Sequence, residues 1–305
     1  MSTGHSGQPH DHDEHREGFA YDLPQMQAKG MVGRALGRRG IVGLVGGGVV
    51  AAALAACGSE KASTATSPPT PPGGGPGGPG GPGGGPGGSV SQAGVEEGDI
   101  PEETGGPYPA DGSNGVNILS ESGIVRSDIT KSFGAASGVA EGVPLRVTLK
   151  VFNHSGADFS PYAGAAVYLW QCDREGNYSL YSAGVESENY LRGVQEVAAD
   201  GTVEFSSIFP ACYPGRWPHL HFEVYPSLAD ATTASKKLRT SQIAFPEDVC
   251  ATVYANAEGY DASVTTLKQV SLDTDNVFSD GHSLQMATLT GSVKEGYELQ
   301  LAVPV

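Results

Sequence analysis

The sequence predicts an all-β sandwich. Three observations carry that reading: short runs rich in β-branched and aromatic residues recur through the second half of the chain, clusters of Gly, Pro, Asn and Asp separate them, and no segment holds a helical period over three turns. In chain order the runs are 145–152, 165–171, 203–209, 219–225, 240–245, 286–291 and 297–303. The second is an apolar strand that empties into the polar turn Cys172-Asp173-Arg174-Glu175-Gly176-Asn177-Tyr178. In the fourth, side chains alternate faces, so His219, His221 and Glu223 point one way while Leu220, Phe222 and Val224 point the other. Asn189-Tyr190-Leu191-Arg192-Gly193 reads as a turn or a pocket rim, and 275–282 as a loop whose His282 is a surface histidine.

Ahead of these runs, residues 1–57 read as an export leader. Arg38-Arg39 precedes an apolar run, 41–56, that ends in Leu54-Ala55-Ala56-Cys57; its 16 residues are short for a membrane span of about 20. The pattern resembles a twin-arginine signal fused to a bacterial lipobox. That implies a lipid anchor at Cys57 and an extracytoplasmic body at the cell surface; an uncleaved anchor helix is the alternative and leaves the body on the same side. His5, His10, His12 and His15 fall within this leader and read as a disposable extension. Residues 58–102 form a linker of Lys/Ala/Ser/Thr and then Pro-Gly-Gly repeats, which lack the strict period of a collagen helix and read as a tether. The catalytic or binding body is then 103–305.

Charge narrows the partners. The chain carries a net charge of −16, and because the leader holds five basic and five acidic residues, all of it remains with the body and linker. Such a field argues against nucleic acid and anionic lipid surfaces as partners, so contact with the membrane is expected through Cys57 alone. With Cys57 assigned to the lipobox, Cys172, Cys212 and Cys250 remain in an oxidising compartment, and one disulfide plus one free thiol is the simplest arithmetic.

The chemistry concentrates at Tyr213-Pro214-Gly215-Arg216-Trp217-Pro218-His219-Leu220-His221-Phe222. Only four histidines follow the leader, and two of them share one strand face, the spacing that lets two imidazoles hold one metal ion; Glu223, on the same face, is a possible third ligand. Tyr178 and Tyr213, taken singly, read equally as packing residues, as do Tyr162, Tyr168, Tyr190 and Trp217.

The stretch from Ile208 through Tyr213 to Phe222 resembles the iron-site motif of the intradiol ring-cleavage dioxygenases, and Trp170-Gln171 followed by Tyr178 resembles the segment that supplies the family's first tyrosine. Glu103-Thr104-Gly105-Gly106-Pro107-Tyr108 and Thr240-Ser241-Gln242-Ile243 are similar to further family segments, so the resemblance covers most of 103–255. It implies a β-sandwich of intradiol dioxygenase type with a mononuclear, non-haem Fe(III) held by Tyr178, Tyr213, His219 and His221. Phenolate ligands suit a hard ferric ion, whereas a carboxylate with two histidines suits Fe(II), which demotes Glu223. The resemblance further implies that a catechol-type substrate displaces the axial Tyr213 and is cleaved with O2 between its two hydroxylated carbons, giving a cis,cis-muconate-type diacid. Arg216 would stabilise negative charge on the ring, being charged at any working pH, and Gln242 would lie near the substrate and oxygen pocket.

The chain departs from the soluble catabolic enzymes in two respects: only five residues separate Tyr213 from His219, and the helical N-terminal dimerisation domain has no counterpart. The short form is similar to the exported, stand-alone branch. Two other readings stay open at this point: an exported ligand- or carbohydrate-binding sandwich without catalysis, and a copper or zinc site built from His219, His221 and Glu223. Under the dioxygenase reading, His154 and His282 are dispensable.

Overall fold

The computed structural model describes residues 97–305. The export leader, Cys57 and most of the expected linker lie outside the described residues.

Two sheets form the body. One is built on β1 (Pro144–Ser155), which pairs antiparallel with β2 (Asp158–Pro161) through its last residues and with β5 (Thr202–Ile208) through its first. On its other side β1 runs parallel to β9 (Gly296–Pro304), which in turn pairs with β8 (Thr288–Ser292). The second sheet has the order β4 (Arg192–Glu196), β3 (Ala166–Trp170), β6 (His219–Tyr225), β7 (Arg239–Ala244), all antiparallel.

Side-chain alternation explains how the sheets meet. Along β1, Leu145, Val147, Leu149 and Val151 are buried while Pro144, Arg146 and Asn153 are exposed, the period-two pattern of a strand with one dry face. Those residues share one apolar core with Phe205 of β5 and Leu299 and Leu301 of β9, and also with Val167, Leu169, Leu220, Phe222, Val224 and Ile243 of the second sheet. The sheets therefore pack face to face. β3, β6 and β7 are buried at every position, so the second sheet is covered on both faces. On the face away from the core, strand register sets Trp170, His221 and Gln242 in one row across β3, β6 and β7.

The expected strands fall close to their sequence runs, and two were not anticipated. β2 is a short strand with three of its four positions exposed, and β4 begins at Arg192, where the sequence suggested a turn. Gly193 lies within β4 because a Cβ there would stand 2.5 Å from Ile129 Cγ2 and 3.1 Å from the Arg126 carbonyl oxygen. Three helices occupy connections, Leu228–Thr232, Glu247–Asn256 and Asp261–Leu267, none reaching three full turns. Burial begins before Glu103: Asp99 and Ile100 are both buried, and Ile100 N–H donates to Pro304 O of β9 at 2.9 Å. Among the described residues no helix is long and apolar enough to cross a membrane.

The expected disulfide is not formed. Cys172, Cys212 and Cys250 are all free and buried. Cys212 and Cys250 belong to the main core, whereas Cys172 packs in the cluster outside the second sheet. Cys172 and Cys212 turn their thiols to backbone carbonyls, of Ala211 at 3.8 Å and Arg216 at 3.6 Å. Burial pushes the Cys212 thiol up to about 12, so these side chains behave as small apolar groups.

Candidate metal centre

The outer face of the second sheet carries the site. His219 and His221 arrive together because they are two apart on β6. The rings are held differently. His219 Nδ1 faces the Trp217 carbonyl, an acceptor only, so it carries the proton and leaves the Nε2 lone pair free. His221 stacks on Trp170, with centroids 4.9 Å apart and planes 6° off parallel, while its buried Nδ1 has no hydrogen-bond partner.

Two loops bring the tyrosines. Tyr213-Pro214-Gly215-Arg216 is a turn in which Pro214 presets the first bend, Gly215 supplies φ +85°, and Arg216 N–H closes back on Tyr213 O at 3.3 Å. It delivers Tyr213 and Arg216 to the same neighbourhood. Tyr178 ends a turn organised by the Asp173 carboxylate, which accepts from the backbone N–H of Glu175 and Asn177 and from the Tyr190 hydroxyl at 2.8–3.0 Å. Arg192, fully buried, then fixes the chain just beyond Tyr178 by donating to Ser179 O and to Tyr108 O, each at 2.9 Å.

The four side chains converge. His219 Nε2 lies 3.1 Å from His221 Nε2 and 3.2 Å from the Tyr213 hydroxyl, which lies 3.5 Å from the Tyr178 hydroxyl. Two donors on one metal ion, each about 2.1 Å from it and about 90–110° apart, stand about 3.0–3.4 Å from each other, so the cluster has ligand spacing. Unsatisfied polarity points the same way, since two facing imidazole nitrogens in a buried site share at most one proton between them. Burial, reinforced by the Arg216 charge, holds His219 neutral down to about 3, and burial with the His219 neighbour depresses His221 well below its ordinary value. Both phenols are pushed up: Tyr213 to about 12 by burial, against the pull of Arg216, and Tyr178 well above its ordinary value, by burial and the adjacent Tyr213. Two neutral imidazoles and two phenols whose protons a strong cation would displace make a donor set that fits Fe(III).

Arg216 and Gln242 join this cluster. Arg216 Nη1 stands 3.4 Å from His219 Nε2, and its Nη2 donates to Gln242 Oε1 at 2.6 Å. Gln242 Nε2 donates to Thr104 O at 2.8 Å, so both ends of that amide are engaged by protein. Glu223 is not part of the site. Its carboxylate is taken by Lys237 Nζ at 2.7 Å and the Tyr225 hydroxyl at 2.6 Å, and among the described residues no group of three His, Cys, Asp and Glu side chains is placed to hold an ion. That removes the His-His-Glu arrangement. Tyr168 and Trp217 are buried packing residues whose polar atoms donate to Pro109 O and Phe245 O.

Three contributions escaped the sequence. Asp275, in the stretch read as a loop, binds Arg216 Nε at 2.9 Å across 59 residues of chain. Gly106, with φ +68°, lays backbone against His221, where a Cβ would stand 3.5 Å from Cε1. Arg192 holds the Tyr178 loop, and its signal was present only as a charged residue within an apolar stretch.

Comparison with known proteins points to the same part of the chain. Residues 125–219, which include Tyr178, Tyr213, Arg216 and His219, match the family model described as Dioxygenase. The chain is 38% identical over 69 residues to chlorocatechol 1,2-dioxygenase of Rhodococcus opacus, a match covering 23% of this chain and 26% of that protein. It is 34% identical over 103 residues to 6-chlorohydroxyquinol 1,2-dioxygenase of Cupriavidus pinatubonensis, covering 28% of this chain and 36% of that protein. The matches thus span about a quarter to a third of these curated relatives' length. Among solved structures, an intradiol ring-cleavage dioxygenase from Tetranychus urticae superposes with a TM-score of 0.50 at 26% identity, covering 60% of this chain and 87% of that one. The matched segment, the motif it contains and the fold are all similar to those of the intradiol ring-cleavage dioxygenases.

Proposed function

We propose that this protein is a non-haem Fe(III) dioxygenase that cleaves catechol-type aromatics between the two hydroxylated carbons with O2, giving cis,cis-muconate-type diacids. The observation that carries the reading is the contiguous set of Tyr178, Tyr213, His219 and His221 donor atoms. A bound ferric ion would supply the electron-withdrawing power that makes a catecholate ring carbon reactive toward O2. The protein supplies the rest. Of the four donors only Tyr213 is not fully buried, so its oxygen, as the phenolate left once a bound cation had displaced its proton, would be the one placed to take a catechol proton as substrate enters. Arg216, beside His219, offers a permanent positive charge to the developing ring anion. Gln242 acts through its two amide contacts, tying Arg216 to the segment that covers His221. An extracytoplasmic, surface-anchored location through Cys57 belongs to the same reading and is supported by the Arg38-Arg39 and Leu54-Ala55-Ala56-Cys57 patterns.

The test is metal analysis with a visible spectrum of the purified protein, before and after anaerobic catechol. The expected result is about one iron per chain, a tyrosinate-to-iron charge-transfer band and a shift of that band on adding catechol. Tyr178→Phe and His221→Ala should each lose iron and ring cleavage. A protein that stays colourless after loading with ferric iron would overturn the proposal.

A further inference from the structure

We propose that Asp275 is a positioning residue for the ring-cleavage reaction, clamping the Arg216 guanidinium so that one nitrogen, Nη1, is left facing the donor cluster. The inference rests on the ferric dioxygenase reading of that cluster and concerns a residue outside the matched motif.

The geometry is a filled socket. Asp275 Oδ2 accepts from Arg216 Nε at 2.9 Å and from Trp217 N–H at 2.7 Å. Its Oδ1 accepts from Val277 N–H at 2.8 Å, Phe278 N–H at 3.2 Å and Arg216 Nη2 at 3.4 Å. Five donors thus converge on a side chain with no exposed surface, in the turn that leads into the short 3₁₀ helix Phe278–Asp280. Arg216 is 14% exposed and is held along its Nε–Nη2 edge, with Gln242 adding a second acceptor at Nη2. A guanidinium is planar, so fixing that edge fixes the plane and the direction of the remaining nitrogen.

The carboxylate does a second thing. An arginine beside two neutral histidines would push any metal ion away, and a buried carboxylate on its far edge offsets part of that repulsion without blocking Nη1. The pair therefore presents an oriented donor more than a bare charge. Trp217 N–H shares the same carboxylate, so the backbone between Arg216 and His219 is tied to the clamp.

The experiment compares wild type, Asp275→Asn, Asp275→Glu, Arg216→Gln and the Arg216→Gln/Asp275→Asn double variant. Asn keeps the shape and the oxygen that meets Val277 and Phe278 N–H, and Glu keeps the charge but moves it by one methylene. The expected result is iron content and a tyrosinate band equal to wild type in Asp275→Asn, with kcat for catechol down about 10–100-fold and KM changed less than about threefold. In the Arg216→Gln background, Asp275→Asn should cost nothing further, because the group it aims is gone. A readout independent of iron is the Arg216 Nε–H signal in the 15N spectrum of the metal-free protein, which should exchange slowly in wild type and at least tenfold faster in Asp275→Asn. Wild-type turnover in both Asp275 variants would overturn the proposal, as would an equal rate loss with and without Arg216, the mark of a structural residue. Wild-type protein lacking the iron band and product would instead overturn the ferric reading, and this proposal with it.

Discussion

Burial alone would leave Tyr178 and Tyr213 as neutral phenols and His219 and His221 as neutral imidazoles, so at neutral pH the four donors carry no charge of their own. A cation entering this site displaces protons from oxygen and not from nitrogen, and the resulting charge balance favours the ferric state. The histidine pair was legible in the sequence because the two-residue spacing puts both rings on one face, whereas Tyr178 and Tyr213, which taken singly read equally as packing, entered as candidate ligands only through the resemblance. His154 shows where local reading fails. It is buried, its Nδ1 meets Asp99 Oδ1 at 2.6 Å, its Nε2 meets Gly156 O at 2.8 Å, and its ring stacks on Phe159 at 4.2 Å. Asp99 is also bound by Arg239, at 2.8 Å, and neither partner is near His154 in sequence. The expectation that His154 is dispensable therefore concerns the metal alone and not the fold. His154→Ala should leave iron content unchanged and lower unfolding free energy by about 2–3 kcal/mol, since a charge-assisted buried contact is lost while Arg239 still compensates Asp99. Urea denaturation read by fluorescence checks it, and an unchanged midpoint would show the contact to be energetically idle.

Most strands were visible as runs of β-branched and aromatic residues because each has at least one face in the core. β4 was not: it carries Arg192 and Gly193, a buried cation and a residue of low strand propensity, and its place is set by what packs over it. Arg192 spends its guanidinium on carbonyls of two other segments, and Gly193 leaves room for Ile129 and the Arg126 backbone to cross the strand. No local pattern encodes such a crossing. Gly193→Ala should accordingly cost more than an ordinary Gly-to-Ala change in a strand, because a Cβ 2.5 Å from a branched side chain and 3.1 Å from a backbone oxygen forces one of the two segments to move. The expected loss is about 1–3 kcal/mol. A thermal midpoint equal to wild type would mean that the 126–129 segment yields freely, and that Arg192 rather than steric fit seats β4.

At the scale of the molecule, the segment 99–106 ties the two sheets to each other and to the site. Ile100 N–H bonds β9 of one sheet, Glu103 N–H bonds Thr240 O of β7 in the other, Thr104 O receives Gln242, and Gly106 covers His221. Glu103 makes this strap sensitive to pH. Burial, then the Asp280 carboxylate nearby, raises its acid to about 8, with Gln285 and Arg216 opposing. The folded protein thus retains a proton between about pH 4.5 and about pH 8 that the unfolded chain has released, so this group's contribution is fully present below that window and is lost as pH rises through it. Glu103→Gln removes the titration while keeping the shape of the side chain. In metal-free protein, wild type and variant should melt within a degree or so of each other at about pH 4, below that window. At about pH 8.5 the variant should melt higher, by on the order of 5 °C, given roughly 2–4 °C per kcal/mol at this size. Parallel melting curves across the range would show that Glu103 sits in a wetter, less acidic setting than this packing gives it. A gap that closes when Asp280→Asn is added to wild type would assign the effect to carboxylate repulsion across the strap, whereas a gap that persists would assign it to burial.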